Sequence, residues 1–409
     1  MDRALGALDG LVVLDATQML AGPLAGTRLG DLGADVIKLE PPGRGEFNRT
    51  HGFEDIRVAG EMTTFLAVNR NKRSLALDLK RPEAREVLHR LLPTVDVILQ
   101  NFRPQTAVRL GMDWESLQQI NPRLVHCSIS GYGPEGPYRD RPGQDLVVQG
   151  YSGSMFSVGA EGEAPSPGAL WAADVMTGYQ AVIGILAALA ARERTGSGQK
   201  VDVDMLSVVL DAQAQELVTY LNAGAQPRRT AERTAHGSIP APYGVYQTSD
   251  GWLTLAMCPL PALGEVLDDD VLRGYDHYND GHSHRDEVYG RIRHRFTERT
   301  TDEWIALCDV HGVWAGPVYD YEGLEQDPHI RATGAFIDQP QGDTVIRTTR
   351  VPIRMSATPP DIRRGAPALG ADSADVLRAA GFADDEVAAL AATGVVGLPV
   401  GQPAVEVPA

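Results

Sequence analysis

A strand–helix–strand pattern within the first 40 residues is the feature that most constrains the fold. A β-branched run at 11–17 (LVVLDAT) precedes a stretch with helical spacing at 22–33 (GPLAGTRLGDLG), and a second apolar run follows at 34–40 (ADVIKLE). Two strands joined through one short helix run parallel, because the helix carries the chain back to the starting edge of the sheet. The pattern predicts an α/β fold with a doubly wound, mostly parallel, Rossmann-like sheet.

The same alternation continues to about residue 222 and defines a large domain over 1–222. Further strands are predicted at 74–80, 96–102, 123–133 and 198–206, and a long apolar helix at 174–194.

The composition changes after this region. Residues 223–240 are polar and basic, and two alternating apolar runs around a Ser-Asp-Gly turn at 243–257 are typical of a β-hairpin. These features predict a smaller α+β domain over 223–330, followed by a separate C-terminal segment over 331–409.

The formal net charge of −17 argues against a nucleic-acid partner and against binding to an anionic membrane surface. The chain nevertheless contains clustered cations, which are Arg70, Lys72, Arg73, Arg103, Arg109, Arg139 and Arg141. Such a set in an acidic protein is consistent with a site for a small polyanion. Solvated surface loops would give the same pattern, and composition alone does not decide between them.

Several other classes of protein are disfavoured. No uninterrupted apolar stretch of 18 residues or more occurs, so no membrane span is predicted, and the N-terminus lacks the pattern of a signal peptide. Three scattered cysteines fit a reducing compartment, so a cytoplasmic location is expected. No metal-binding spacing, phosphate-binding loop, dinucleotide fingerprint or serine-hydrolase elbow is present, and no metal site is predicted.

Asp174 is the one acid in an otherwise uncharged stretch, GALWAADVMTGYQAVIGILAAL (168–189). An Asp at this position can cap the helix that follows it. The apolar residues that precede it suggest that the carboxylate is buried. An isolated buried charge is costly unless it serves a purpose, which favours a second interpretation, a nucleophile. Gly178, four residues on, is disfavoured in a helix and would let another backbone or a ligand come close.

Five sequence blocks together resemble the class III coenzyme A transferase family, whose members include formyl-CoA and carnitine CoA-transferases and, in a racemase branch, α-methylacyl-CoA racemase. The blocks begin with LDGLVVLDATQMLAGPLAGTRLGDLGADVIKLEPPGRGE (8–46) and NRNKRSLALDLK (69–80), and continue with 95–145, 171–206 and 241–253. They occur in the family's order along nearly the whole chain.

The resemblance implies an acyl-CoA:carboxylate CoA-transferase in which Asp174 attacks the acyl-CoA thioester and forms a covalent aspartyl intermediate. Acyl-CoA and a carboxylic acid would be its substrates, without a tightly bound cofactor. It also implies that the small domain is inserted into the large one, to which 331–409 returns, and that two ring-like chains interlock as a homodimer.

Further residues are carried over by their positions in these blocks. The residues implied to contact CoA are Lys38, Arg70, Lys72, Arg73, Asn101, Phe102, Arg109 and Arg141. Leu20 and Gln144 are implied to shape the acyl pocket. In the racemase branch a histidine occupies the position of Gln144, and an amide cannot move a proton from an α-carbon, so transfer is favoured over racemisation. A racemase or epimerase and a non-catalytic CoA-ester binding protein are the alternatives.

Overall fold

The computed structural model describes residues 5–399, apart from the side chains of 277–279. The chain divides into two compact units. The first unit runs to Val148, resumes over Ala172–Val208 and resumes again from Gly334. The second unit consists of Gln149–Trp171 and Val209–Thr333.

The predicted bounds differ from these units in three places. Residues 149–171 and 209–222 belong to the second unit, whereas the sequence interpretation assigned them to the large domain, and the second unit runs to Thr333 where the prediction ended it at 330. Composition and periodicity do not reveal the core against which a segment packs, so these boundaries required the structure.

The strands are β1 (Val12–Asp15), β2 (Asp35–Glu40), β3 (Arg57–Val58), β4 (Glu61–Met62), β5 (Lys72–Leu77), β6 (Val97–Gln100), β7 (Val125–Ser130), β8 (Lys200–Asp204), β9 (Gly244–Gln247), β10 (Trp252–Leu255), β11 (Ala315–Pro317), β12 (Phe336–Gln341), β13 (Thr344–Thr349) and β14 (Val396–Gly397).

The α-helices are α1 (Ala21–Asp31), α2 (Thr63–Ala67), α3 (Glu83–Leu91), α4 (Pro104–Leu110), α5 (Trp114–Leu117), α6 (Asp145–Ser152), α7 (Ala172–Thr195), α8 (Met205–Ala212), α9 (Ala214–Ala223), α10 (Leu260–Leu267), α11 (Asp270–Arg273), α12 (His277–Ser283), α13 (Arg285–Phe296), α14 (Thr301–Val310), α15 (Tyr321–Gln326), α16 (Pro328–Ala332), α17 (Ser373–Ala379) and α18 (Asp384–Ala392).

A seven-stranded sheet of order β14-β5-β2-β1-β6-β7-β8 organises the first unit. Six of its strands are parallel, and β14 pairs antiparallel with β5 at one edge. The chain builds from β1 outward to β5, then returns to β6 and builds toward β8. The mostly parallel α/β prediction is confirmed. The reversal between β1 and β6 is a topological switch point, where a crevice opens at the carboxyl ends of the strands.

Alternate residues of the central strands supply two apolar cores, one on each face of the sheet. Val13 and Val97 pack with α1 and α7, whereas Leu14 and Ile98 pack with α3 and α17. Because both faces are covered, polar and charged side chains on these strands are shielded from solvent as the apolar ones are.

Helices α1 and α7 approach each other closely at Gly178. A Cβ atom on Gly178 would lie 2.7 Å from the carbonyl oxygen of Ala21, so a glycine is required there. This contact brings the N-terminus of α1 against the first turns of α7. Within 5–399, α7 is the one helix long and apolar enough to match a membrane span by length and composition, but its buried residues, such as Ala181 and Ile185, lie in the core of this unit.

The second unit has its own core and a three-stranded antiparallel sheet of order β11-β10-β9. The predicted hairpin at 243–257 corresponds to β9 and β10, which pair in register from Trp252 opposite Gln247. Leu253, Ile292 and Trp304 are buried in this core, together with residues of the helices α10, α11, α13 and α14.

Candidate active site

Two loops meet at the switch point of the sheet, one following β1 and one following β6. Asn101 and Gln18 tie them together with reciprocal hydrogen bonds: the Asn101 side-chain amide donates to Gln18 O at 3.0 Å, and Gln18 N–H donates to Asn101 Oδ1 at 3.1 Å. Parallel strands therefore bring together residues that are 83 positions apart in the sequence.

A cavity of about 290 Å³ opens beside this tie, and all of its walls come from the first unit. Five residues predicted from the sequence line it, which are Asn101, Phe102, Arg141, Gln144 and Asp174. Leu20 does not line it, although its neighbours Met19 and Ala21 do. Leu20 instead occupies the N-cap position of α1. Arg103 and Arg139, which belong to the clustered cations noted in the sequence but were not assigned to CoA binding, add two guanidinium groups to the wall.

Asp174 is half-buried in the first turn of α7, and its carboxylate accepts a hydrogen bond from the backbone of Ala21 at the start of α1. The N–H of Asp174 itself donates to Asp145 Oδ2 at 3.1 Å. Burial, together with the nearby Asp145 charge, raises the pKa of Asp174 to about 6, and the bond from Ala21 opposes that shift. The side chain thus faces the positive end of a neighbouring helix and the cavity.

This arrangement suits a nucleophilic carboxylate. A pKa of about 6 leaves Asp174 mostly ionised at neutral pH but poorly hydrated, which makes it more reactive than a solvated carboxylate. N–H groups at a helix N-terminus also stabilise negative charge that develops on oxygen. The carboxylate that accepts a hydrogen bond from the first turn of α7 is that of Asp145, whereas the Asp174 carboxylate meets the N-terminus of α1 and does not cap α7 as the sequence suggested.

Gln144 lies in the same cavity as Asp174. Its side chain is a neutral amide, so it can donate and accept hydrogen bonds but cannot act as an acid or base. Gln144 therefore cannot carry the second proton that a racemisation in this cavity would require.

A second cavity, of about 580 Å³, shares Gln18 and Phe102 with the first. Three cations line it, Arg44, Lys80 and Arg109, each with an exposed side chain. Arg109 was predicted from the sequence, whereas Arg44 and Lys80 were missed. The signal for both was available, since Arg44 lies in GRGE (43–46) and Lys80 ends the block at 69–80.

The structure changes the role of the other predicted cations. Lys72 is fully buried, with Nζ 2.8 Å from Asp15 Oδ2, and Lys38 is fully buried, with Nζ donating to Thr17 O at 2.6 Å. Phosphate groups cannot reach these ammonium groups, so the two lysines have a structural role in place of the predicted CoA contacts.

Arg70 and Arg73 are likewise engaged within the protein. Arg70 is 2% exposed and forms a bidentate ion pair with Asp31, at 3.0 and 2.8 Å. Arg73 pairs with Asp35, and neither of the two cavities described above is lined by it. This placement does not support direct contact of either guanidinium with CoA.

Among the described side chains, no group of three or more His, Cys, Asp or Glu residues is arranged to hold a metal ion.

Comparison with known proteins identifies the family. A family model described as CoA-transferase family III matches residues 8–373. The chain is 37% identical to a succinate–glutarate CoA-transferase of Agrobacterium fabrum, over 90% of this chain and 94% of the relative. It is 32% identical to the human succinyl-CoA:glutarate CoA-transferase, over 95% of this chain and 90% of the relative.

Further relatives extend the comparison to other acids and to solved structures. An acetyl-CoA:oxalate CoA-transferase of Acetobacter aceti is 33% identical over 81% of this chain and 86% of the relative. The crystal structure of a CAIB/BAIF family protein from Brucella suis superposes with a TM-score of 0.81 at 33% identity, covering 92% of this chain and all of that one. The chain therefore belongs to CoA-transferase family III and is an enzyme of that family.

Proposed function

We propose that this enzyme moves CoA from an acyl-CoA to a free carboxylate through covalent intermediates on Asp174. The observation that carries the proposal is the half-buried carboxylate of Asp174, which lines a cavity, meets the N-terminus of α1 and has a pKa raised to about 6. A carboxylate with these properties is suited to attack a thioester carbonyl.

The reaction proceeds through four exchanges at carbonyl carbons. An Asp174 oxygen attacks the carbonyl carbon of the acyl-CoA thioester and the C–S bond breaks. CoA thiolate departs, and a mixed anhydride between Asp174 and the acyl group remains. The thiolate attacks the aspartyl carbonyl, which releases the donor acid and forms an aspartyl-CoA thioester. The acceptor carboxylate attacks this thioester, and the released thiolate then attacks the acceptor's acyl carbon. Acceptor-CoA leaves, and the Asp174 carboxylate is restored.

CoA would lie across the two adjoining cavities. Its phosphates would pair with Arg44, Lys80 and Arg109 in the larger cavity, while its thioester would reach Asp174 past Phe102. Exposed guanidinium and ammonium groups suit this role because they pair with phosphate oxygens without first breaking a buried ion pair.

Short dicarboxylates are the proposed acids, with succinyl-CoA as a donor. Relatives named for succinyl-CoA and glutarate support this choice. The first cavity offers the arginines Arg103, Arg139 and Arg141, and a guanidinium group can bind the distal carboxylate of such a substrate in a bidentate manner.

Oxygen labelling tests the covalent route. Turnover of succinyl-CoA with an acceptor acid labelled with ¹⁸O in its carboxylate should transfer label to Asp174, because the last step breaks the bond between the bridging oxygen and the acceptor carbon. Mass spectrometry of the peptide that contains Asp174 would detect the heavier species. Asp174→Asn should be inactive and remain unlabelled. Transfer without label on this peptide would overturn the proposal.

A further inference from the structure

The first turn of α1 rests on a buried ion pair. The Lys72 ammonium lies 2.8 Å from Asp15 Oδ2 and donates to the carbonyl oxygen of Pro23, in the first turn of α1, at 2.8 Å. Val68 O and Asn69 Oδ1, at 3.0 and 2.9 Å, complete its surroundings. One side chain on β5 thus connects the end of β1 with the N-terminus of α1.

The other carboxylate oxygen of Asp15 fixes the loop that leads into α1. Asp15 Oδ1 accepts hydrogen bonds from the N–H and the hydroxyl of Thr17, at 3.0 and 2.5 Å. Lys38 donates to Thr17 O at 2.6 Å and lies 3.7 Å from Asp15 Oδ2. The buried charges of Asp15 and Lys38 therefore fix the loop that carries Gln18 and Met19 to the active-site cavity.

Glycine lets α1 sit directly on this pair. A Cβ atom on Gly26 would lie 2.7 Å from Asp15 Oδ2 and 3.2 Å from Lys72 Nζ. On the side of α1 that faces α7, Gly178 has the same function against Ala21 O. The helix is thus confined between the ion pair and the helix that carries Asp174.

The charges are costly where they lie. Burial lowers the pKa of Lys72 to about 8, an effect that the Asp15 carboxylate opposes, and neither side chain is exposed to solvent. Apolar residues of similar volume often stabilise a protein as well as a buried ion pair does. What apolar residues cannot supply is a directed bond to the Pro23 carbonyl.

We propose that Lys72, held by Asp15, is a positioning residue that sets the first turn of α1 so that the Ala21 N–H meets the Asp174 carboxylate. The inference rests on the proposed nucleophilic role of Asp174. Lys72 would act through α1 and would touch neither CoA nor the acid substrate.

Lys72→Met tests the proposal, since it removes the charge and the bonds to Asp15 and Pro23 while keeping most of the volume. We expect kcat to fall about 10- to 100-fold, because small misplacements at a reacting centre have effects of this size, with little change in KM for succinyl-CoA. The acid limb of the pH–rate profile should also move to higher pH, because Asp174 loses a hydrogen bond that stabilises its charged form.

Other charged groups face the reacting carboxylate and must stay unchanged in this experiment. Asp145 adjoins it, and Arg103, Arg139 and Arg141 line its cavity. None of them is altered by the substitution, so a moved acid limb reports the loss of the contact from α1.

Arg192→Met is the matched control. Arg192 is 4% exposed, pairs with Asp96 at 3.0 Å and lies on α7 itself, about 27 Å along the helix axis from Asp174. Its loss should lower stability without moving the acid limb. If Lys72→Met does not fold, Lys72→Gln keeps a polar group and takes its place.

The outcomes separate the two proposals. If wild-type enzyme transfers label to Asp174 and folded Lys72→Met has the same kcat and the same acid limb, the positioning role is overturned. If Lys72→Met and Arg192→Met show equal losses of activity and of stability, and neither moves the acid limb, Lys72 is merely structural and the inference also fails. Absence of label in the wild type would instead contradict the nucleophilic role of Asp174.

Discussion

The backbone N–H of Asp174 donates a hydrogen bond to Asp145 Oδ2 at 3.1 Å, which places a second carboxylate beside the proposed nucleophile. Burial raises the pKa of Asp174, and the Asp145 charge adds to this effect. The neighbouring acid therefore tunes the basicity of Asp174 through its charge and aligns the backbone through its hydrogen bond.

The pH–rate profile should show this tuning. For wild-type enzyme we expect kcat/KM to fall below about pH 6, as Asp174 becomes protonated. Asp145→Asn should shift this acid limb to lower pH, because it removes a charge while its amide oxygen can still accept the bond from the backbone. The less basic nucleophile should lower kcat at neutral pH by no more than about tenfold. If the acid limb of Asp145→Asn stays in place, the Asp145 charge does not contribute to the raised pKa of Asp174.

Asp174→Asn should stabilise the folded enzyme at neutral and alkaline pH. The pKa of Asp174 is raised from 3.8 to about 6, so between these values the folded state binds more protons than the unfolded state and stability decreases as pH rises. The penalty is complete above about pH 6, and its removal should contribute on the order of 1–3 kcal/mol. Urea unfolding of both proteins should show a small difference near pH 4 and a larger one near pH 8. An equal difference in unfolding free energy at the two pH values would contradict a raised pKa of Asp174.

Gly178→Ala should uncouple α1 from α7. The new Cβ would lie 2.7 Å from the carbonyl oxygen of Ala21, so the helices must separate and the contact between Ala21 and Asp174 must lengthen. We expect kcat to fall about tenfold or more and stability to decrease by about 1–3 kcal/mol.

Gly184→Ala is the control for this substitution. It lies on the same helix, and its Cβ would meet only a side-chain methyl group of Val201. Steady-state kinetics and thermal unfolding would compare the two variants, and equal losses of kcat would contradict a specific contact at Gly178.

The exposed cations of the larger cavity should control affinity for CoA esters. Lys80→Met and Arg109→Met should each raise KM for succinyl-CoA about tenfold and weaken its dependence on salt, because an accessible charge that pairs with phosphate is lost. The control Arg123→Met removes a surface cation that pairs with Glu193. Initial-rate measurements at two ionic strengths test this, and a lower kcat at constant KM would argue against phosphate binding.

The sequence predicted the architecture of the first unit well because buried parallel strands alternate with helices in an easily recognised order. The strands predicted at 74–80 and 96–102 correspond to Lys72–Leu77 and Val97–Gln100. The edge strand Val396–Gly397 was not predicted, since two residues carry no periodic signal and their pairing with β5 depends on the rest of the sheet. The interlocked dimer stays a prediction.

Within the site, proximity in sequence misled the interpretation of the cations. Lys72 and Arg70 are close together in the chain, which suggested one accessible basic patch. Their acidic partners, Asp15 and Asp31, are 57 and 39 residues away and meet them only once the parallel sheet has formed. Asp174, predicted as a nucleophile because one acid stands in an apolar stretch, lines the cavity, but its contact with Ala21 required the structure.

The pairing of Val396 with Leu77 means that the sheet is closed by a segment synthesised more than 300 residues after the strand it covers. During translation the β5 edge emerges early and stays open while the whole second unit is made. An open strand edge is a site for pairing with other chains. A ribosome that stalls before this segment would release a chain with most of its catalytic groups and an exposed template for aggregation, so completion of synthesis itself protects the enzyme.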